Sequence, residues 1–395
     1  MFARVVLLTA MMCGCVWSQT ATMTGEVKDP SGAVVPGAHV TIGNMRTGTK
    51  ISVETNSAGT YVIPFLQPGL YRLTVAVTGF RTAVRPNIKL DVDQTARMDL
   101  VLQPGTVSET VDVTAAAPLL QTESPSLGAQ IETKTVVSLP LNGRDYTQLV
   151  TLSPGATPNH YSRANNGFSL NGGVTMQTTL LLDGTDNTNY EIGTDTGNIN
   201  ALNPSVDAIQ EFRVETANYS AEYGRSANGI VSVTLKSGAN AFHGDVYEFL
   251  RNDALDANDW FANRAGLSRA PLRRNQFGGT LGGPIVKNRT FFFVSYQGTR
   301  QTASNTVTVT TPTPEMLAGN FGAIKVKDPL SGQPFAGNVI PVSRFDAAGA
   351  KLAALYPQPN LPGTVNNYST NQGTSNHADE LDTRFDQQFT EHDNT

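Results

Sequence analysis

Two short runs, residues 209–214 and 229–235, constrain the fold more than any other part of the chain. Both are built from β-branched and aromatic residues, and a stretch rich in Gly, Ser and Asn between them reads as a loop. The same pattern continues elsewhere. With 36 Gly and 22 Pro among 395 residues, and only 15% charged residues, the chain is punctuated too often for long helices and suits many short strands joined by turns. The length leaves room for two or three domains. Beyond the first residues no run of 18 or more apolar side chains occurs, so only a closed β-barrel would carry this chain across a bilayer. A net charge of -5 and the lack of any Lys/Arg run argue against a nucleic-acid partner.

The two runs and what separates them resemble the end of the plug domain of TonB-dependent outer-membrane receptors. In that family an Ile-Glu-Arg-Ile-Glu-Val strand, a Leu-Tyr-Gly turn and a Gly-Val-Ile-Asn-Ile-Val-Thr-Lys strand lead into the barrel. Here the counterparts are residues 209–214, then Glu222, Tyr223 and Gly224, then 229–235 closed by Lys236. The Arg-Gly-Pro that usually follows the first strand is replaced by Glu215, Thr216 and Ala217, which points to the branch known as Oar-like proteins.

The N-terminus reads as an export signal. Arg4 supplies the positive region, residues 5–14 the apolar core, and Val16, Trp17 and Ser18 a site for cleavage before Gln19. Both cysteines, Cys13 and Cys15, lie inside it, so a chain starting at Gln19 carries no thiol. Lipidation at Cys15 is the alternative, but Met12 and Cys13 fit poorly where an aliphatic and a small residue are expected.

Residues 19–103 read as a β-sandwich of seven short strands, at 23–28, 38–42, 51–54, 61–64, 71–77, 88–92 and 96–102. Tyr71, Leu73, Val75 and Val77 alternate with Arg72, Thr74 and Ala76, and Met98, Leu100 and Leu102 repeat the pattern, so one face is core. Turns fall at Asp29-Pro30-Ser31-Gly32, Asn56-Ser57-Ala58-Gly59 and Gln67-Pro68-Gly69. With Gly25-Glu26-Val27, Pro36-Gly37-Ala38, Gly59-Thr60-Tyr61 and Gly69-Leu70-Tyr71, this unit resembles the carboxypeptidase regulatory-like domain, a prealbumin-like sandwich with a carbohydrate-binding-like fold and no implied peptidase activity. His39 has no second His nearby and reads as a solvent-facing strand residue rather than a metal ligand.

Residues 104–117 form a linker containing Glu109, Thr110, Val111, Asp112, Val113, Thr114 and Ala115, which looks like a TonB box. An extended, alternating peptide of this kind can add as a strand to a periplasmic partner's sheet edge, with backbone hydrogen bonds making few demands on side chains. The other reading is a last strand of the sandwich or an ordinary linker.

Residues 118–240 are then the plug. After Leu139-Pro140-Leu141-Asn142 a helix is expected to begin and to stop before Ser153-Pro154-Gly155. Residues 177–182 followed by Asp183-Gly184 read as a buried strand and turn, similar to an Ile-Leu-Ile-Asp-Gly strand of these receptors. The loops at 158–173 and 185–204 carry His160, Tyr161, Arg163, Tyr190 and Glu191, which the resemblance would turn outward toward ligand; plain solvated loops are the competing reading.

From 241 to 395 the pattern becomes that of a barrel wall, with strands expected at 242–251, 274–283, 290–301 and 379–389, each about the 10 residues a tilted strand needs. Phe242, Tyr247, Phe249, Phe277, Phe291, Phe293, Tyr296, Phe385 and Phe389 are candidates for a lipid-facing band. The turn at 284–288 is short, whereas the connections around it are long, as on the two sides of an outer-membrane barrel. The long connection, 302–378, contains Pro312-Thr313-Pro314-Glu315-Met316 before a short helical stretch and resembles an extracellular loop of the Oar-like branch. Four strands cannot close a barrel; the resemblance implies about 22 and an N-terminal part of a longer receptor.

Catalytic patterns are missing. The five His are scattered, so no metal ligands and no cofactor are legible. Gly167-Phe168-Ser169-Leu170-Asn171 fails the nucleophile elbow at its last position, and Gly278-Gly279-Thr280-Leu281-Gly282-Gly283 fits no phosphate-binding loop. The expected fold is mainly β: sandwich, α+β plug, first strands of an incomplete outer-membrane barrel. The expected function, following the resemblance, is transport rather than catalysis, with a TonB-type periplasmic energy-transducing protein and outer-membrane lipid as partners. The ligand (siderophore, glycan or peptide) and the direction of movement stay open. The alternative is a secreted or surface protein whose sandwich binds carbohydrate or protein.

Overall fold

The computed structural model describes residues 20–107, 110–112, 126–158, 167–173, 177–189, 200–221, 223–264, 266–390 and 393–394. The leader, 1–18, lies outside them. The described chain is mainly β and falls into two units, 1–247 with 278–297 and 380–395, and 248–277 with 298–379.

In the first unit the sandwich comes first. Its strands are β1 Ala21–Lys28, β2 His39–Asn44, β3 Lys50–Glu54, β4 Thr60–Leu66, β5 Gly69–Ala76, β6 Thr82–Leu90, β7 Thr95–Arg97, β8 Leu100–Val101 and β9 Thr110–Asp112. One sheet has the order β4-β1-β7, with β8 also on β1, and the other β3-β2-β5-β6-β9. The alternation expected on β5 holds: Tyr71, Leu73 and Val75 enter the core with Met98, Leu100 and Leu102, and Val77 packs against it partly buried. The Tyr61 hydroxyl donates to the Met98 carbonyl at 2.7 Å, which satisfies the one polar atom that this ring takes into the core. His39 is exposed beside Glu54.

The α+β domain follows. Its strands are β10 Leu127–Glu132, β11 Ala156–Pro158, β12 Phe168–Leu170, β13 Thr178–Leu182, β14 Thr185–Asp186, β15 Ile209–Ala217 and β16 Gly229–Leu235, and the main sheet runs β10-β15-β16-β13-β14. The two runs that opened the sequence reading are thus its centre, paired antiparallel with Phe212 opposite Val233. β13 joins β16 in parallel and ends in a turn with Asp183 and Gly184 both at positive φ, 46° and 80°. The helix expected after Asn142 begins later. Arg144 takes a left-handed conformation (φ 54°), and Asp145 accepts from the Thr147 N–H, so the 3-10 helix spans Tyr146–Leu152. A short helix, α1 Thr133–Ser138, was not anticipated.

The wall strands are β17 His243–Asn252, β18 Leu272–Val286, β19 Thr290–Val309, β20 Tyr368–Thr390 and β21 Asp393–Asn394, in sequential order in one sheet that does not close. β19 and β20 have 20 and 23 residues, well beyond the spans 290–301 and 379–389 expected for them. At about 3.3 Å per residue such strands outrun a hydrocarbon core of about 30 Å. Their added parts are polar and cross-linked in the second unit, as where Thr306 bonds Asn371 at 2.8 Å, so the hydropathy of a membrane strand does not reveal them.

The aromatic band also needs correction. In β19 successive side chains alternate, so Phe291 and Phe293 are buried while Phe292 and Tyr296 lie on the other face. Phe293 packs with Ala208, Leu235 and Leu182 of the α+β domain. Phe242, Phe249, Phe385 and Phe389 are exposed.

The second unit holds the remaining lengths of β17–β20 and their connections. Within it Arg300 forks onto Asp379 at 2.7 and 3.0 Å, and its guanidinium lies over the Phe277 ring at 5.7 Å. The long connection starts with a helix at Pro314–Leu317 and contains α2, Ala347–Ala353.

Candidate functional site

Three junctions in the first unit hold the α+β domain: one to the sandwich and two to the wall strands. At the sandwich, the turn after β6 lies on β15. The Val92 N–H donates to Glu211 Oε1 at 2.6 Å, and Gln130 Nε2 donates to the other oxygen at 2.9 Å. Arg213 donates to the Asp93 carbonyl at 3.3 Å and to Ser126 Oγ at 2.8 Å, and pairs with Glu215 at 3.0 Å. Because a strand alternates, Phe212 and Val214 enter the core while Glu211, Arg213 and Glu215 share the opposite face, where the sandwich covers them. Burial, reinforced by the Asp91 charge, pushes the Glu211 carboxyl up to about 7 against the Val92 hydrogen bond. Burial likewise pushes Asp93 up to about 6, against hydrogen bonds from Ser232 and Tyr223.

At the first wall junction Arg144 pairs with Asp207, and its guanidinium lies 4.9 Å from the centroid of the Tyr247 ring. Burial raises the Asp207 carboxyl, with Arg144 opposing. Ser205 and Ser295 share a buried hydrogen bond of 2.9 Å nearby. At the second, Arg384 of β20 donates to Asp183 at 3.3 Å and to the Leu235 carbonyl at 3.0 Å, while Asp386 takes its Nε at 3.0 Å. Gln67 of the sandwich reaches the same Asp386 at 3.1 Å. Sandwich, α+β domain and wall therefore meet around the ion pair of Arg384 and Asp386, which is largely covered.

Of the residues singled out by sequence, Thr110, Val111 and Asp112 form β9, paired in parallel with Thr82, Ala83 and Val84 at the edge of the sandwich. Thr82 Oγ1 donates to the Val107 carbonyl at 2.7 Å just before it. Glu109, Val113, Thr114 and Ala115 lie outside the described residues, as do His160, Tyr161, Arg163, Tyr190 and Glu191. The junction residues were not among the candidates. In the sequence the alternation Glu211-x-Arg213-x-Glu215 reads as the solvated face of a strand, and only the structure shows it covered. Among the described residues no group of three His, Cys, Asp or Glu is placed to hold a metal, and no helix is long and apolar enough to cross a membrane.

Residues 234–395 match the family described as Outer membrane beta barrel domain, and residues 22–103 the Carboxypeptidase regulatory-like domain. The TonB-dependent transporter Oar of Myxococcus xanthus is 27% identical over 310 residues, 74% of this chain and 28% of that protein. The chain thus spans a little over a quarter of that relative's length. Among solved structures, the siderophore receptor PirA from Acinetobacter baumannii covers 46% of this chain and 28% of its own, at 21% identity and a TM-score of 0.35. The outer membrane transporter YddB from Escherichia coli covers 48% and 28%, at 15% identity and a TM-score of 0.36.

Proposed function

We propose that this chain, a homologue of the TonB-dependent transporters and an outer-membrane protein, carries the energy-coupling and gating parts of such a transporter. The sandwich lies on the periplasmic side, the α+β domain is the plug, and β17–β21 begin the wall around it. The observation that carries the reading is the fastening of the α+β domain to the wall strands through Arg384 with Asp183 and through Phe293 with Leu235. A plugged pore needs a plug held by side chains and not by a continuous sheet, so that it can shift without unravelling the wall.

In this reading residues 109–115 recruit a TonB-type periplasmic protein by strand addition, and β9 is the extended conformation that such addition uses. Pulling on that segment is transmitted to β10, an edge strand of the plug sheet. The loops bearing His160, Tyr161, Arg163, Tyr190 and Glu191 meet the ligand, a small molecule, glycan or peptide. No covalent step is required.

The test is binding of a peptide of residues 104–117 to the C-terminal domain of a TonB-type protein. Saturable binding is expected, weakened about tenfold or more by Val111→Pro, which removes an N–H from the added strand. A peptide that does not bind, or a Val111→Pro peptide that binds equally well, refutes the coupling assignment.

A further inference from the structure

We propose that the connection between β19 and β20 holds a binding site of its own, a preformed pocket for a small, uncharged, largely hydrocarbon ligand. The pocket has a volume of about 740 Å³, within the range of about 300–1,000 Å³ over which proteins enclose small molecules. All of its lining comes from residues 310–356, so it belongs to one stretch of chain in the second unit.

The hollow exists because small residues lie opposite large ones. Gly349, Ala350, Ala353 and Ala354, on and just after α2, line one part, and the large apolar side chains Met316, Leu317, Phe321 and Phe345 lie among the remaining lining. Larger side chains on α2 would fill the space.

The walls are fixed before anything binds. Thr311 and Asn367, both buried, exchange hydrogen bonds of 2.8 and 2.9 Å where the chain leaves β19 and returns to β20. The Ile340 N–H donates to the Gly319 carbonyl at 2.9 Å and the Phe321 N–H to the Asn338 carbonyl at 3.1 Å. Arg344 forks onto Asp328 at 2.8 and 3.1 Å, and that pairing holds the Asp328 carboxyl down at about 2. A ligand entering here loses little binding energy to ordering a loop.

The same bonds set the ligand's chemistry. Four polar residues of the lining already have partners inside the loop: Thr310 Oγ1 accepts from the Asn366 N–H at 2.9 Å, Thr311 is held by Asn367, Asp346 accepts from the Gly349 N–H at 2.7 Å, and Arg344 is neutralised by Asp328, which leaves the Tyr356 hydroxyl as the polar group at the pocket's exposed side. What the pocket offers is apolar surface. A charged ligand would leave water without a matching group in return, whereas an aromatic or branched aliphatic one is favoured by burial alone.

The reading rests on the transporter assignment only for the pocket's role in capture. It is tested on protein extracted from outer membranes into detergent, titrated with 1-aminoanthracene, a neutral aromatic fluorophore. Saturable one-site enhancement is expected in the parent protein, about tenfold weaker in Ala350→Trp and in Ala353→Trp, and unchanged in Lys351→Ala on the same helix. Enhancement that rises without saturation, as for partition into micelles, overturns the proposal. So does saturable binding that both Trp variants retain, which places the probe elsewhere, or its absence from the parent, which means that another part of the protein fills the pocket. Val111→Pro separates the two readings: probe binding retained in a variant whose coupling is lost leaves the pocket standing by itself, and coupling retained without saturable probe binding removes the pocket alone.

Discussion

The Val92 amide of the sandwich donates its hydrogen to Oε1 of Glu211 on β15, 2.6 Å away, across 119 positions of sequence. The bond fastens two domains through a carboxyl that burial pushes from 4.5 up to about 7. Between those values the folded protein holds a proton that the unfolded chain has released. The stabilisation is therefore complete below pH 4.5 and is lost as pH rises through about 7; Asp93 adds a similar fall between 3.8 and about 6. Thermal unfolding midpoints recorded between pH 4.5 and 7.5 are expected to drop with rising pH, and Glu211→Gln is expected to flatten that slope. An equal slope in the variant would mean that the carboxyl titrates elsewhere in the fold.

Arg213 stands between the same domains but acts through permanent charge. Its replacement by Ala removes the bonds to the Asp93 carbonyl and Ser126 Oγ and leaves the Glu215 carboxylate buried without its cation. A loss of about 3–5 kcal/mol is expected from breaking a buried pair on one side, measured by urea unfolding. Replacing Arg213 and Glu215 together by Leu and Met should cost much less, and additivity of the two single losses would contradict the coupling.

The sandwich core and the central strands of the α+β domain were legible because both are governed by alternation and by turns, which are local. Tyr71, Leu73 and Val75 face inward as their spacing requires. The junctions were not legible, because a charged residue on an alternating strand reads as solvated until its cover is known. Arg213 and Arg384 look like surface residues in the sequence, yet Arg213 is buried and Arg384 largely covered, with bonds to Asp93 and Asp183, 120 and 201 positions away. The same limit applies to Phe291, Phe293 and Tyr296, all read as candidates for one lipid-facing band: a pleated strand must place Phe291 and Phe293 on one face and Tyr296 on the other.

That division makes a quantitative contrast. Phe293 is 1% exposed and packs on Leu235 and Ala208, whereas Phe385 is 66% exposed. Phe293→Ala is expected to cost about 3–5 kcal/mol through lost burial and the cavity left behind, and Phe385→Ala under about 1 kcal/mol. Chemical unfolding of the detergent-extracted protein measures both, and equal losses would place Phe293 on the lipid face after all.

Gly278 tests the wall by close approach rather than by packing. A Cβ built there would lie 2.1 Å from the Tyr296 carbonyl oxygen of β19 and 2.7 Å from the Tyr247 hydroxyl of β17. The tyrosine can swing aside, but the carbonyl belongs to a paired strand and cannot move without breaking the ladder between β18 and β19. Gly373, in β20, meets nothing closer than the Ser304 hydroxyl at 3.9 Å, an ordinary contact. Gly278→Ala is therefore expected to destabilise the wall by at least about 2 kcal/mol, and Gly373→Ala to change it by under about 1 kcal/mol. The readout is the fraction of each variant that keeps its folded mobility on gels without heating. If Gly278→Ala runs like the parent protein, β18 and β19 do not lie as close as their backbones indicate, and the run of glycines at 278–283 needs another explanation.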